Sequence, residues 1–420
     1  MEKLIIEGGY RLKGTVAVSG AKNAALPIMA ATLLTDDTCI IKNVPALRDI
    51  DTMVKILQAL DVKAERNGQN FIIRGTCSRV KAPYELVNTM RASVCVLGPL
   101  LAKKKVAEVS FPGGCVIGPR PIDLHLKGLE MLGADIKIKS GYILAKADKL
   151  TGTKIYLGGH FGSSVLATAN TMMAATLAEG VTVIENAACE PEIVDLANFL
   201  ISMGAKIAGQ STPTIRIKGV KKLHGTTHNV IPDRVEAGTY MLSGAITKGD
   251  VFVKNARAEH LMALIDKLRE CRVELYERKD GISIVGKKGK IKPTTVTTLP
   301  YPGFPTDMQA QMMSFLCLAD GISVITEKIY TERFIHVSEL SRMGARIFLE
   351  GPNAIVNGVK KLSGAEVMAS DLRASAALVL AGLVASGKTS IHRIYHLDRG
   401  YENLDRKLSG VGARIWREKE

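Results

Sequence analysis

At 420 residues the chain is too long for a single hydrophobic core, so two domains of similar size or an array of repeats is expected. Hydrophobic residues make up 46 %, yet no apolar run reaches the roughly 18 to 20 residues that span a bilayer, which excludes a membrane-spanning helix. The formal charge of +15 admits nucleic acid, a membrane surface or small anions, while 5 % aromatics and dispersed lysines argue against a single-strand-binding groove.

The N-terminus, Met1 to Glu7, has no apolar stretch behind a basic start, so no secretory signal is expected and the protein reads as cytosolic. The seven cysteines (Cys39, Cys77, Cys95, Cys115, Cys189, Cys271 and Cys317) are odd in number, scattered and never spaced C-x-x-C. That pattern fits reduced thiols rather than a disulfide framework or a zinc site.

In chain order, a helix tail followed by a strand recurs about every 70 residues, the mark of a repeat architecture. The copies begin at Leu57, Leu129, Leu200, Leu268, Leu340 and Leu408, and four of the six carry Gly-Ala after the helix tail. The glycine suits a left-handed residue just past a helix end, and the alternation after it suits a strand. A second phrase, an Ala-rich apolar helix, a turn and a β-branched strand, runs Ala24 to Asn43, Ala92 to Phe111, Ala167 to Asn186, Ala237 to Asn255, Gln309 to Ile329 and Ala374 to Ile394. Helices such as 171–178 have too little polar face for a surface and are predicted inside. Six α/β units, three plus three, imply two similar domains that cross near residues 220–230.

Gly382 to Thr389 fits G-x-x-x-x-G-K-T letter for letter. A phosphate-binding loop needs a strand before it and a helix after it. Here the repeat predicts the opposite order, with Lys388 in a helix-to-strand turn.

Chemistry collects where the predicted helices open. The first helices open with Lys22 and Asn23, Arg91, Gly162-Ser163-Ser164, Asp233 and Glu236, Thr306-Asp307, and Asp371 with Arg373. The second helices open with Arg48-Asp49, Arg120 to Asp123, Glu190 and Glu192, Arg257 and Glu259, Arg333, and Asp398-Arg399. Capping accounts for Ser, Thr and Asp at such places, but cations oppose the positive end of a helix dipole. Lys22, Arg91, Arg120, Arg333, Arg373 and Arg399 therefore point to an anion between them, for which helix N-termini and arginine forks are suited. The loop Phe111 to Leu124 adds Cys115 beside Arg120, bracketed by Gly113, Gly114, Gly118, Pro112, Pro119 and Pro121. A thiol beside a fixed cation is the pairing that makes cysteine reactive. The expectation is a cleft between two domains that binds polyanions and holds one thiol and several carboxylates.

At these residues the chain resembles the UDP-N-acetylglucosamine 1-carboxyvinyltransferases, enolpyruvyl transferases of the EPSP synthase family. The resemblance spans essentially the whole length. It is carried by Ser19 to Pro27, Met90 to Ser93, Pro112 to His125, Phe304 to Gln311, Ser370 to Ser375 and Asp398 to Tyr401. It implies a two-domain inside-out α/β barrel with three βαβαββ units per domain, one domain being 22–229 and the other 1–21 plus 230–420, with the active site in the cleft between them. It implies transfer of the enolpyruvyl group of phosphoenolpyruvate to the 3-hydroxyl of UDP-N-acetylglucosamine with release of phosphate, the first committed step of peptidoglycan synthesis. Cell-wall biogenesis, cell shape and division, and sensitivity to fosfomycin follow from that role; no metal or cofactor is implied.

Residue by residue, the resemblance implies that Lys22, Asn23, Arg120 and Arg399 hold phosphoenolpyruvate. Arg91, Arg120, Pro121, Ile122, Asp123, Leu124, the loop His160, Gly162, Ser163, Ser164 and Val165, and Ile329 contact the sugar nucleotide. Asp307 takes the proton of the sugar hydroxyl, and Cys115 is general acid and forms a pyruvate adduct. Asp371, Arg373 and Arg333 support the phosphate side. The loop from His160 departs from the family pattern, being longer and lacking the lysine and the glycine often found there. An ordinary thiol, with a pKa of about 8.5, donates a proton at neutrality, whereas Lys22 and Arg120 favour its thiolate. Two other readings share features of the chain: 3-phosphoshikimate 1-carboxyvinyltransferase, which has this fold and donor without the cysteine loop, and a basic nucleic-acid-binding repeat protein.

Overall fold

The computed structural model describes residues 2–113, 122–159, 162–287 and 289–420. Within them the strands form six four-stranded sheets and one two-stranded ladder, and none of the sheets closes on itself.

Each four-stranded sheet is assembled in the same way. In one, Lys81–Ala82 lies parallel to Val106–Ser110, which pairs antiparallel with Tyr142–Lys146, and that strand pairs with Asp135–Lys139. The helices Leu97–Lys104 and Asp123–Met131 connect these strands, giving the order βαβαββ. Side chains alternate along the strands. In Thr214–Lys218, Ile215 and Ile217 are buried, whereas Thr214, Arg216 and Lys218 face water, as a sheet covered on one side requires.

The first helix of each repeat is buried nearly all round. In Leu372–Val384 every residue from Arg373 to Leu383 is buried, and alanines allow close approach of the neighbouring Gln309–Leu316. Two of the hydroxyls inside bond to backbone carbonyls: Ser375 Oγ donates to that of Asp371 at 2.6 Å and Ser314 Oγ to that of Ala377 at 2.8 Å. Helix Leu372–Val384 precedes strand Lys388–His392, so the phosphate-loop lookalike is a helix-to-strand turn with Lys388 5.4 Å from the Trp416 ring.

All six helix-tail phrases end alike. Gly133, Gly204, Gly344 and Gly412 take φ of 101°, 99°, 89° and 97°, and the non-glycine equivalents Asp61 and Arg272 take 68° and 64°. In every copy the next residue's N–H bonds back to the leucine carbonyl at the start of the phrase, as in Val62 to Leu57 at 3.0 Å and Ala205 to Leu200 at 3.0 Å. This closing bond satisfies a helix-end carbonyl and fixes the direction of the following strand.

Two compact units result, one comprising residues 2–19 and 232–420, the other 20–113 and 122–231, each with its own hydrophobic core. The repeats are not contiguous in the chain. Glu2–Glu7 inserts between Lys388–His392 and Arg414–Lys419, and Lys13–Ala17 pairs parallel to Asp250–Lys254. Those two pairings tie the N-terminus to the C-terminal unit. In the other unit Thr227–Asn229 supplies the opening strand of its first repeat, parallel to Cys39–Lys42. Among the described residues no helix is long and apolar enough to cross a membrane.

Candidate active site

In the unit containing 20–113, Lys22 is the first residue of helix Lys22–Ala31 and is buried. Its Nζ lies 2.8 Å from Oδ2 of Asp49, in the first turn of helix Arg48–Ala59, with both side chains under 10 % exposed. The anion demanded by a buried lysine at a helix start is therefore supplied within the protein. The half-buried Asn23 follows in the same turn.

Arg91 opens the 3₁₀ turn Arg91–Val96 and is half-buried. Behind it lies an amide hub. The fully buried Asn170 accepts from Gly98 N–H at 2.9 Å and donates to the Val94 carbonyl at 2.8 Å and to His125 Nδ1 at 2.9 Å. With its two donors committed, the amide requires His125 Nδ1 to accept, which places the ring proton on Nε2. Burial first, then the Arg91 charge, lowers the His125 pKa to about 3, so the ring is neutral. A Cβ on Gly98 would stand 2.4 Å from the Asn170 carbonyl oxygen, so only glycine permits this approach.

Asn170 thus joins the Arg91 turn and the helix opening at Asp123 and Leu124 to helix Val165–Ala175. Ile122 is buried, Asp123 exposed and Leu124 half-buried. Gly162 and Ser163 pair antiparallel with Gly158–Gly159, and Ser164 caps the helix that Val165 begins, accepting from Ala167 N–H at 3.4 Å. For Ser164 capping is therefore one role in place. Cys115, Arg120, Pro121 and His160 lie outside the described residues.

In the other unit the charged groups converge. Asp307 sits in the 3₁₀ turn Thr306–Met308 ahead of helix Gln309–Leu316. Its Oδ1 receives Arg333 Nη1 at 2.9 Å and its Oδ2 receives Arg373 Nη2 at 2.8 Å. Both guanidiniums are buried, while the carboxylate is 30 % exposed. Burial opposes ionisation of Asp307, but Arg373 and Arg333 outweigh it and hold the carboxyl well below the usual range.

Arg373 is placed by helix Leu372–Val384, whose N-cap Asp371 accepts from the Arg373 and Ala374 N–H groups at 2.8 and 3.1 Å. Its guanidinium lies 5.6 Å from the Tyr401 ring. That tyrosine's hydroxyl meets Thr239 Oγ1 at 2.9 Å and Gln311 Nε2 at 3.2 Å. Among the described residues Nη1 of Arg373 is buried without a hydrogen-bond partner.

Arg399 closes the 3₁₀ segment Ile394–Arg399 and is half-buried. Arg417 holds that segment through the preceding Asp398, with a two-pronged contact at 3.1 and 2.6 Å. His396 has a lowered pKa, chiefly from burial and further from Arg399 and Arg393.

Three groups escaped the sequence reading as site residues. Asn170 is one, Glu327 another, and His336 the third; buried beside Asp371 and Arg333, His336 has its pKa lowered to about 4, mainly by burial. Glu327 did leave a signal. It follows strand Ile322–Thr326 where sister repeats carry Asn43, Asn186 and Asn255 in left-handed backbone.

The sequence model described as EPSP synthase (3-phosphoshikimate 1-carboxyvinyltransferase) matches residues 6–408. The chain belongs to the EPSP synthase family. It is 55 % identical over 415 residues to UDP-N-acetylglucosamine 1-carboxyvinyltransferase 1 of Caldanaerobacter subterraneus subsp. tengcongensis, with 99 % of each chain covered. It is 56 % identical over 421 residues to the UDP-N-acetylglucosamine 1-carboxyvinyltransferase of Geotalea uraniireducens, with 100 % of each covered. Among solved structures, the enolpyruvyl transferase NikO from Streptomyces tendae superposes with a TM-score of 0.90 at 23 % identity, covering 100 % of this chain and 99 % of that one. EPSP synthase from Acinetobacter baumannii superposes at 0.79 and 19 % identity, with 100 % of each covered. At these identities the structures establish a shared mixed α/β fold. The paired arginines around Asp307 and the lysine–aspartate pair of Lys22 are how this member of the family holds its buried charges.

Proposed function

We propose that this chain transfers the enolpyruvyl group of phosphoenolpyruvate to the 3-hydroxyl of UDP-N-acetylglucosamine, releasing phosphate, as the first committed step of peptidoglycan precursor synthesis. The observation that carries the reading is 55 % identity across 99 % of both chains to an enzyme of that name. In this reading each unit is an inside-out α/β barrel of three βαβαββ repeats, and the enzyme works in the cytoplasm.

The chemistry is addition followed by elimination. A proton delivered to C3 of phosphoenolpyruvate makes C2 electrophilic; the sugar 3-oxygen attacks C2 as its own proton passes to a base. C3 then gives up a proton, the C2–C3 double bond re-forms and phosphate departs with its bridging oxygen. Cys115 is the donor and Asp307 the base. Lys22, Asn23, Arg120 and Arg399 hold the carboxylate and phosphate; Arg373, Arg333 and Asp371 support the phosphate side. Arg91, Arg120 to Leu124, His160, Gly162 to Val165 and Ile329 take the sugar nucleotide. Cations over the migrating negative charge lower the barrier in both halves of the reaction.

A base flanked by two guanidiniums is ionised at neutral pH but weakly basic. Its competence depends on an incoming anion drawing arginine charge away from it, for which Arg373 offers an Nη1 that has no partner among the described residues.

The deciding assay is phosphate release that requires both phosphoenolpyruvate and UDP-N-acetylglucosamine. Release with 3-phosphoshikimate instead, or salt-sensitive DNA binding without phosphate release, would overturn the reading. An epoxide phosphonate of the fosfomycin type should label Cys115 alone among the seven cysteines.

A further inference from the structure

We propose that Glu327 is a positioning residue that, through the Thr306 hydroxyl, fixes Arg333 and thereby the carboxylate of Asp307; the inference rests on the reading of Asp307 as the base. Glu327 has no exposed surface. Its Oε1 is met by Thr298 Oγ1 at 2.7 Å, Ile329 N–H at 2.8 Å and Tyr330 N–H at 3.0 Å, and its Oε2 by Thr306 Oγ1 at 2.9 Å.

The direction of each bond is determined. Thr306 Oγ1 also meets Arg333 Nη1 at 3.0 Å, and a guanidinium only donates, so the single hydroxyl proton of Thr306 must point to Glu327. Thr298 Oγ1 likewise accepts from Lys328 N–H at 2.9 Å and turns its proton to Glu327. Four donors converge on the two oxygens of one side chain, which serves them only as an acceptor. The chain of contacts runs Glu327, Thr306, Arg333, Asp307, and one nitrogen of Arg333 uses its two hydrogens on Thr306 and on Asp307.

Both oxygens of Asp307 are thus oriented by guanidiniums that are themselves fixed, Arg373 by its capped helix and Arg333 by Glu327. The same carboxylate also binds the N–H of Ile329, so one buried group sets three neighbouring parts of the site.

Glu327→Gln tests the idea with little change of shape. An amide keeps its oxygen for the three donors on one side and turns NH₂ toward Thr306, whose proton then loses its acceptor and whose oxygen faces two donors, which weakens and loosens its contact with Arg333. Thr306→Val removes the same link and spares the backbone anchors. Turnover per folded molecule should fall roughly 10- to 100-fold in either variant, with KM for both substrates little changed. The double variant should be no worse than the weaker single one, and Glu327→Asp should recover part of the loss.

Wild-type turnover in Glu327→Gln or Thr306→Val, or losses that multiply in the double variant, would overturn the proposal. Should Glu327→Gln fail to fold, Thr306→Val decides. Guanidinium NMR gives a readout independent of turnover: slow rotation of the Arg333 Nη groups in the wild type should become fast in Thr306→Val, and unchanged rotation would also overturn it. If the wild type releases no phosphate the functional reading fails, while the NMR result still judges the positioning.

Discussion

Around Asn170 every hydrogen-bond partner is neutral, whereas the Asp307 carboxylate is met by two buried guanidiniums. In the first region one amide makes three hydrogen bonds and the imidazole beside it stays unprotonated, with a pKa of about 3. No counter-ion is needed, and the cost of burial is met by hydrogen bonds alone. In the second, two buried guanidiniums require carboxylates, and Asp307, Glu327 and Asp371 all lie in the same network. Neutral hubs hold segments in place, whereas charged hubs also set the ionisation of the group they hold.

The contrast is tested most severely at Asp307. Asp307→Asn should reduce phosphate release by about 1,000-fold and, by leaving two buried guanidiniums poorly paired, cost about 2–4 kcal/mol of stability. Turnover above a tenth of wild type would remove it as base. The pH dependence has a definite sign. The folded pKa of Asp307 is depressed, so its contribution to stability is present above the unfolded value of about 3.9 and fades as pH falls below it. Urea midpoints of wild type and Asp307→Asn should therefore converge as pH drops below about 4.

Asn170→Ala should cost about 1–3 kcal/mol by stranding the buried Gly98 N–H and removing one of the two donors to the Val94 carbonyl. Because it loosens the Arg91 and Leu124 segments rather than a base, KM for the sugar nucleotide should rise more than kcat falls. A fall in kcat alone would erase the distinction between the two hubs. Asn170→Asp should raise the His125 pKa from about 3, measurable by NMR titration, because a carboxylate favours imidazolium.

Smaller effects compare the helix-tail turns of the two units. Gly204 has φ of 99°, and a Cβ there would stand 3.2 Å from the His224 ring, so Gly204→Ala should lose about 1–2 kcal/mol. Arg272 occupies the same turn at φ 64° and already bears that strain, so Arg272→Gly should gain about 0.5–1 kcal/mol in denaturant melts. The smallest effect concerns His392, whose pKa is raised by Glu366 and Glu420. That contribution is complete below an unfolded pKa of about 6.5 and is lost as pH rises through the higher folded value. His392→Asn should accordingly be a few tenths of a kcal/mol less stable than wild type at pH 5 and indistinguishable at pH 9, since the pair is largely exposed.

Much of this was written locally. Repeating Ala-rich helices, the left-handed glycine turns after Leu129, Leu200, Leu340 and Leu408, and the helix-to-strand order at Lys388 depend on residues within a few positions of one another. Residue type and spacing carry such features because backbone propensity and hydrophobic period act over one or two turns. The gathering of cations at helix openings was equally legible, and with it the prediction that they answer negative charge.

Which negative charge was not legible. Lys22 found Asp49, 27 positions along the chain, and Arg373 found Asp307, 66 positions away, so part of the anion demand is met inside the protein. Glu327 draws on Thr298, Thr306, Ile329 and Tyr330, and the N-terminal strands complete sheets hundreds of residues distant. Partners of this kind are chosen only when the chain packs, because an ion pair or a strand pairing depends on separation in space. A sequence lists charges and periods; folding alone decides which of them meet.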